Sequence, residues 1–73
     1  MVLHNDNVNS MDHVVATLRR LTPLSQHQSV AVMHAAHTRG AAHVLVTHKE
    51  RAELYIEQFR TRGLTVTIEP AGL

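Results

Sequence analysis

Three amphipathic windows alternate with three short apolar stretches in this chain, and helix start and stop signals mark most of the boundaries. In the first window, residues 11–21, apolar residues follow the i, i+3, i+4, i+7 spacing of one helical face. They are Met11, Val14, Val15, Leu18 and Leu21. Asn9 or Ser10 can cap this helix, and Thr22-Pro23 ends it because a residue that precedes proline disfavours helical geometry.

Two further windows begin with capping-box spacing. Ser25 with Gln28 three residues later predicts the start of a second helix, which stops at Gly40. Thr47 with Glu50 repeats this spacing and predicts the start of a third helix. The apolar face of the third helix consists of Ala52, Tyr55, Ile56 and Phe59.

The apolar stretches between these windows predict strands. Residues 1–4 and 42–46 are predicted to be strands, and residues 64–68 after Gly63 alternate apolar residues with Thr until Pro70 ends them. The order is βααβαβ. We therefore predict an α+β fold, in which three helices cover one face of an antiparallel or mixed three-stranded sheet.

Length and composition restrict the class of protein. Seventy-three residues make one small domain, 1–73, near the lower limit for a core without staples. The absence of cysteine fits a reducing compartment and excludes thiolate chemistry. A net charge of +1 without long charge runs argues against nucleic-acid binding, and no apolar stretch approaches the roughly 20 residues of a membrane span.

A dense polar segment separates the first strand from the first helix. His4-Asn5-Asp6-Asn7 and Asn9-Ser10 carry more polar groups than a turn and a helix cap require. Taken alone, the segment is explained most simply as a solvated turn and helix cap, with ligand binding as the alternative. Ser10 and Ser25 both precede predicted helices, where capping explains them, so we do not expect an enzyme.

The sequence resembles the ClpS family, whose members are adaptors that hand proteins with particular N-terminal residues to a Clp-type protease. The resemblance extends from Met1 to Ala71 and corresponds to the short-C-terminal branch of the family. It depends on the Leu-His-Asn-Asp start, on Met11, on Met33 and His37 four residues apart, on Gly40, on the Glu50, Ala52 and Glu53 cluster, and on the closing Thr67-Ile68-Glu69-Pro70.

The resemblance implies roles for individual residues. The residues implied to bind a substrate's free α-amino group are Asn5, Asp6, Asn7 and His37. The residues implied to form a pocket for its first side chain are Leu3, Asn9, Met11, Val14, Met33, Ala36 and Leu64, with Met11 at the mouth. Glu50 and Glu53 correspond to a surface that docks on the N-terminal domain of a Clp ATPase of the ClpA or ClpC type.

The chemistry of these residue types fits that implication. An ammonium group has three donors, and Asn5 Oδ1, the Asp6 carboxylate and one nitrogen of a neutral His37 can accept from it. Three positions depart from the commoner family pattern: Asn7 replaces a second acidic residue, Asn9 replaces Thr and Ala36 replaces Val. We expect lower affinity from the first change and a roomier pocket from the last.

The resemblance also sets expectations for cargo delivery and location. Because family members deliver cargo through a flexible N-terminal extension and Met1 lies within the first strand, we expect that such an extension is missing from this chain. We further expect a monomer without a cofactor, located in a bacterial cytoplasm or a plastid stroma.

Two alternatives remain open. One is a docking or regulatory module of the Clp machine that does not recognise N-terminal amines, since fold alone does not define function. The other is a metal-binding domain, because seven histidines include His34 and His37 three apart on a predicted helix, with His4 or His43 as further ligands.

Overall fold

The computed structural model describes residues 1–69. Three helices and three strands follow one another in the predicted order βααβαβ and form an α+β fold. They are β1 (Val2–His4), α1 (Met11–Leu21), α2 (Gln26–Arg39), β2 (Ala41–His43), α3 (Lys49–Arg60) and β3 (Thr65–Thr67). Pro70, which was predicted to end the last strand, lies outside the described residues.

The first two helices begin and end where the sequence signals predict. Ser10 caps α1 by accepting a hydrogen bond from the His13 amide. At α2 the Ser25 side chain and the Gln28 side chain form both hydrogen bonds of the capping box. Gly40 ends α2 with φ of 89°, a left-handed conformation that favours glycine because it has no Cβ.

The predicted capping box of the third helix is wrong. His48, rather than Thr47, is the N-cap residue of α3, and no side chain caps this end. Thr47 therefore lies one residue too early, and Glu50 is the second helical residue instead of the third, so the reciprocal geometry cannot form. The predicted apolar face is confirmed, since Ala52, Tyr55 and Phe59 are buried.

The sheet is antiparallel throughout, with β1 in the centre and the order β2-β1-β3. Its outer strands are shorter than the predicted 42–46 and 64–68. Beyond β2, the Val44 amide still donates to the Met1 carbonyl at 2.9 Å and the Met1 amino group donates to the Leu45 carbonyl at 3.0 Å. Beyond the paired segments, Val46 is 81% exposed and Ile68 is 41% exposed.

The core lies between this sheet and the helices. Leu3 from the central strand, Leu18 from α1 and Phe59 from α3 are fully buried. The Tyr55 and Phe59 rings pack at 6.4 Å between centroids. Because side chains alternate along a strand, the buried Leu3 of the central strand β1 defines which face of the sheet packs against the core. The pocket adjoins that face.

Candidate functional site

One pocket of about 300 Å³ lies among β1, the β1–α1 turn, α1, α2 and the α3–β3 turn. All residues that the sequence predicted for the amine and for the first side chain line it. His4 and Ser10 line it in addition. The full lining is Leu3, His4, Asn5, Asp6, Asn7, Asn9, Ser10, Met11, Val14, Met33, Ala36, His37 and Leu64.

The lining changes from apolar to polar with increasing exposure. The buried lining residues are all apolar: Leu3, Met33, Ala36 and Leu64. The exposed lining residues are Asn5, Asn7, Ser10, Met11 and His37, of which only Met11 is apolar. Such a pocket suits a ligand with an apolar end and a polar end.

Backbone hydrogen bonding connects the two segments that carry Asn5 and His37. The Asn5 amide donates to the carbonyl of Gly40, the C-cap of α2, at 2.9 Å. His37 lies three residues before Gly40, and Met33 and Ala36 on the same helix are buried in the pocket. The left-handed turn at Gly40 therefore helps to place an amide side chain and an imidazole along one pocket.

The Asp6 carboxylate organises the β1–α1 turn. Its Oδ1 accepts hydrogen bonds from the Val8 amide at 2.9 Å and from the Asn9 amide at 2.7 Å. Its Oδ2 accepts from Asn9 Nδ2 at 3.1 Å. A carboxylate has about four acceptor sites, and three of those on Asp6 are occupied by these bonds. Asp6 can therefore act on a ligand through its charge, but it has little capacity left for a direct bond.

These bonds also determine the ionisation of Asp6. The hydrogen bond from the Asn9 amide lowers the pKa of the Asp6 carboxyl below its usual value, although partial burial opposes this shift. The Asn9 side chain, the Val8 amide and the charge of His13 lower the pKa further. Asp6 is therefore an anion at neutral pH and contributes negative potential beside the pocket.

Asn9 and His13 contact the α3–β3 turn, a connection that the sequence did not predict. Asn9 Nδ2 donates to the Gly63 carbonyl at 2.7 Å, and His13 Nε2 lies 2.8 Å from the Arg62 carbonyl. Leu64, which follows Gly63, is buried in the pocket. The two bonded pairs are separated by 54 and 49 positions in the sequence, so no local pattern could reveal these bonds.

His4, which sequence reasoning did not assign to the pocket, pairs with the last strand. His4 Nε2 and Thr67 Oγ1 are 2.7 Å apart across the β1–β3 pair. Alternation along β1 could not have identified His4, because it places His4 on the face opposite Leu3, which lines the same pocket. This bond stabilises the strand that precedes Asn5.

The predicted docking residues lie apart from the pocket. Glu50 and Glu53 are exposed on α3, which contributes no residue to the pocket lining. Nearby, the Arg51 guanidinium lies 5.5 Å from the centre of the buried Tyr55 ring. This exposed helix face carries both signs of charge.

The metal alternative finds no support in the described part of the chain. Residues 1–69 contain no group of three or more His, Asp or Glu side chains placed to hold one ion. In the same range, no helix has the length and hydrophobicity that a membrane crossing requires.

The sheet, the three covering helices and the pocket with its apolar and polar ends define a small α+β binding domain. A family model described as ATP-dependent Clp protease adaptor protein ClpS matches residues 1–67. The chain belongs to the ClpS family of Clp protease adaptors.

Individual relatives agree with this assignment. The ClpS adapter protein of Synechococcus sp. (strain CC9902) is 48% identical over 71 residues, which cover 96% of this chain and 68% of the relative. The chloroplastic CLPS1 adapter of Chlamydomonas reinhardtii is 40% identical over 73 residues, 99% of this chain and 45% of the relative. The chloroplastic CLPS1 of Arabidopsis thaliana is 37% identical, with 99% and 46% covered.

Proposed function

We propose that this domain recognises proteins by a free, bulky apolar N-terminal residue and delivers them to a Clp ATPase and peptidase. Leu is the expected first residue, followed by Phe, Tyr and Trp. The observation that carries this proposal is the polarity gradient of the pocket, with Leu3 and Leu64 buried and Asn5 and His37 exposed. A first residue has the same gradient, from an apolar side chain to a charged amine.

The amine end of the ligand accounts for the polar lining. Asn5 Oδ1 and a neutral His37 nitrogen accept hydrogen bonds from the ammonium group, and the anionic Asp6 adds attraction. Hydrogen bonds to charged groups contribute about 1.5–3 kcal/mol each. Acetylation removes the charge and two donors, so it should weaken binding by about tenfold or more.

The apolar end of the ligand accounts for the buried lining. A volume of about 300 Å³ is small for a ligand pocket and suits one side chain better than a longer peptide segment. Burying a Leu or Phe side chain there adds roughly 1.5–3 kcal/mol. The two ends together make the pocket selective for a terminal residue over the same residue within a chain.

Delivery requires a second surface, and α3 supplies the candidate. Glu50 and Glu53 are exposed there and accessible to the N-terminal domain of a ClpA-type or ClpC-type ATPase. Cyanobacterial and chloroplastic relatives support action in a bacterial cytoplasm or a plastid stroma.

Fluorescence anisotropy tests the recognition step. Matched peptides beginning with Leu, Phe or Ile, each with a free or an acetylated N-terminus, are titrated with the domain. Tight binding of free Leu or Phe that is lost on acetylation supports the proposal. A panel in which Ile outranks Leu contradicts the expected pocket preference.

A docking module without amine recognition is the second candidate. It is favoured by the Asp6 carboxylate, most of whose acceptor sites are occupied within the turn, and by the uncharged Asn7. In that case no peptide binds in any form, while the ATPase N-terminal domain still does.

A further inference from the structure

Two consecutive carbonyls of the α3–β3 turn accept hydrogen bonds, one from a side chain of the β1–α1 turn and one from a side chain in the first turn of α1. Asn9 Nδ2 bonds to the Gly63 carbonyl at 2.7 Å, and His13 Nε2 bonds to the Arg62 carbonyl at 2.8 Å. Because a carbonyl oxygen only accepts, His13 Nε2 carries a hydrogen here, as it does in both a neutral tautomer and the imidazolium. This pair of bonds fastens the turn to the pocket side of α1.

Both hydrogens of the Asn9 side-chain amide take part in hydrogen bonds. One goes to Gly63 and the other to Asp6 Oδ2 at 3.1 Å, while the Asn9 backbone amide donates to Asp6 Oδ1 at 2.7 Å. Both partners of Nδ2 are acceptors, which fixes the orientation of the amide chemically. Asn9 thus joins the acidic turn to a segment 54 residues away.

The joined segment carries an apolar residue of the pocket. Leu64 follows Gly63, is 2% exposed and lines the pocket together with Met33, Ala36 and His37 of α2. Gly63 has φ of 78°, a conformation that ordinary residues rarely adopt, so the chain direction into Leu64 is set by a tight turn. The Leu64 amide also donates to the Phe59 carbonyl at 3.0 Å, so the bond from Asn9 to the Gly63 carbonyl adds a second restraint on the position of Leu64, from the β1–α1 turn.

We propose that Asn9 is a positioning residue for specificity: by holding Gly63 it places Leu64 and so decides which first side chains the pocket accepts. This inference depends on the proposed recognition of N-terminal residues. The two proposed acceptors for the amine, Asn5 and His37, are held through α2, and Asp6 keeps its bonds from the Val8 and Asn9 backbone amides when the Asn9 side chain is removed, so Asn9→Ala should preserve the requirement for a free amine.

A carboxamide is the appropriate group for this position. It offers two donors on one nitrogen, whereas a Thr or Ser hydroxyl offers one and an ionised carboxylate none. Asn9→Asp keeps the shape of the side chain, removes both donors and places a second carboxylate beside Asp6. The variant therefore separates hydrogen-bond donation from side-chain volume.

The experiment measures two ratios by anisotropy with peptides beginning Leu, Phe or Ala. The first ratio compares the Kd of the Ala peptide with that of the Leu peptide, and the second compares acetylated with free Leu peptide. In Asn9→Asp and Asn9→Ala we expect the first ratio to fall by roughly 3- to 10-fold. The second ratio should remain within about twofold of the original chain in Asn9→Ala, whereas the added carboxylate of Asn9→Asp should raise it by roughly 1.5- to 5-fold.

Controls distinguish positioning from general damage. Val8→Ala, at a neighbouring side chain that is 91% exposed and outside the pocket, should change neither ratio. His13→Ala should lower the first ratio in the same direction but less, since Asn9 still holds Gly63. Thermal unfolding identifies a variant that fails to fold, and Asn9→Ala serves as the test if the added charge of Asn9→Asp unfolds the domain.

Each result has one meaning. An unchanged first ratio in folded Asn9 variants overturns the inference and leaves the proposed function standing. A parallel loss of both ratios also overturns it, because the role of Asn9 would then be structural. Absence of amine-dependent binding by the original chain overturns the proposed function and this inference with it.

Discussion

The pocket and the outer face of α3 are built in opposite ways. The pocket joins segments far apart in the sequence, through the bonds from Asn5 to Gly40 and from Asn9 to Gly63. The outer face of α3 belongs to one helix, and its ion pair, Glu57 with Arg60, lies within a single turn. The pocket depends on tertiary geometry, whereas the helix face depends on which charges are exposed.

This difference predicts different responses to substitution. A change in the pocket should alter ligand binding through shape and through hydrogen bonds to a charged group. A change on the helix face should leave both the fold and the pocket intact and alter only association with another protein.

The largest expected effect comes from removing an acceptor for the ligand amine. Asn5→Ala or His37→Ala should each weaken binding of a free Leu peptide by about 10- to 100-fold, because a bond to a charged donor is lost. Both side chains are exposed, so the melting temperature should hardly change. Anisotropy together with thermal unfolding measures both, and an unaltered Kd in both variants would contradict the assigned roles.

Substitution of Asp6 should lower the stability of the fold more than it weakens ligand binding. Asp6→Asn places an amide group against Asn9 Nδ2, so we expect the free energy of unfolding to fall by about 1–2 kcal/mol. Each kcal/mol lost should lower Tm by roughly 4–8 °C. Because folding lowers the pKa of Asp6, its stabilisation is present above about pH 4 and is lost as pH falls through the folded pKa.

Thermal unfolding at several pH values tests this prediction. The difference in stability between the original chain and Asp6→Asn should be largest near neutral pH and should shrink as the pH falls below about 4. A difference that is independent of pH would show that the charge of Asp6 does not stabilise the turn.

A smaller gain is expected from adding charge to the lining. Asn7→Asp supplies a second carboxylate near the proposed amine site at an exposed position. Attraction between exposed charges contributes about 0.2–1 kcal/mol, so affinity for a free Leu peptide should rise by roughly 1.5- to 5-fold. The gain should diminish at high salt, and an acetylated peptide should show none.

The smallest effect on the pocket is expected from α3. Combined Glu50→Ala and Glu53→Ala changes should leave the Kd for peptides unaltered and weaken binding to the ATPase N-terminal domain by a few-fold, about as expected for exposed charges. Asp12→Ala, at an exposed acidic residue of α1 that does not line the pocket, provides the control. If the original chain, the double variant and the control variant bind the ATPase domain equally well, Glu50 and Glu53 do not contribute to the docking surface.

Much of the secondary structure was predictable because its signals are local. Ser10 at α1 and the Ser25–Gln28 box at α2 act within one helical turn, so sequence spacing identifies them. The start of α3 was misplaced because Thr47 has the same spacing without the geometry. The strands were predicted too long because an apolar residue such as Val46 cannot reveal where its pairing partner ends.

The composition of the candidate site was also predictable, since the residues assigned by resemblance line one pocket. The engagement of Asp6 within its own turn and the bond from Asn9 to Gly63 were not. Individual residue types carry donors and acceptors, but the sequence does not state which partner each one meets.

The sequence by itself therefore determined most helix boundaries and the order of elements, because capping and periodicity act over a few positions, while the site residues came from the resemblance to a family. The tertiary structure decided that β1 is the central strand and that the α3–β3 turn closes on α1. Strand order and hydrogen bonds between distant segments depend on how all the elements pack at once, which no local pattern encodes.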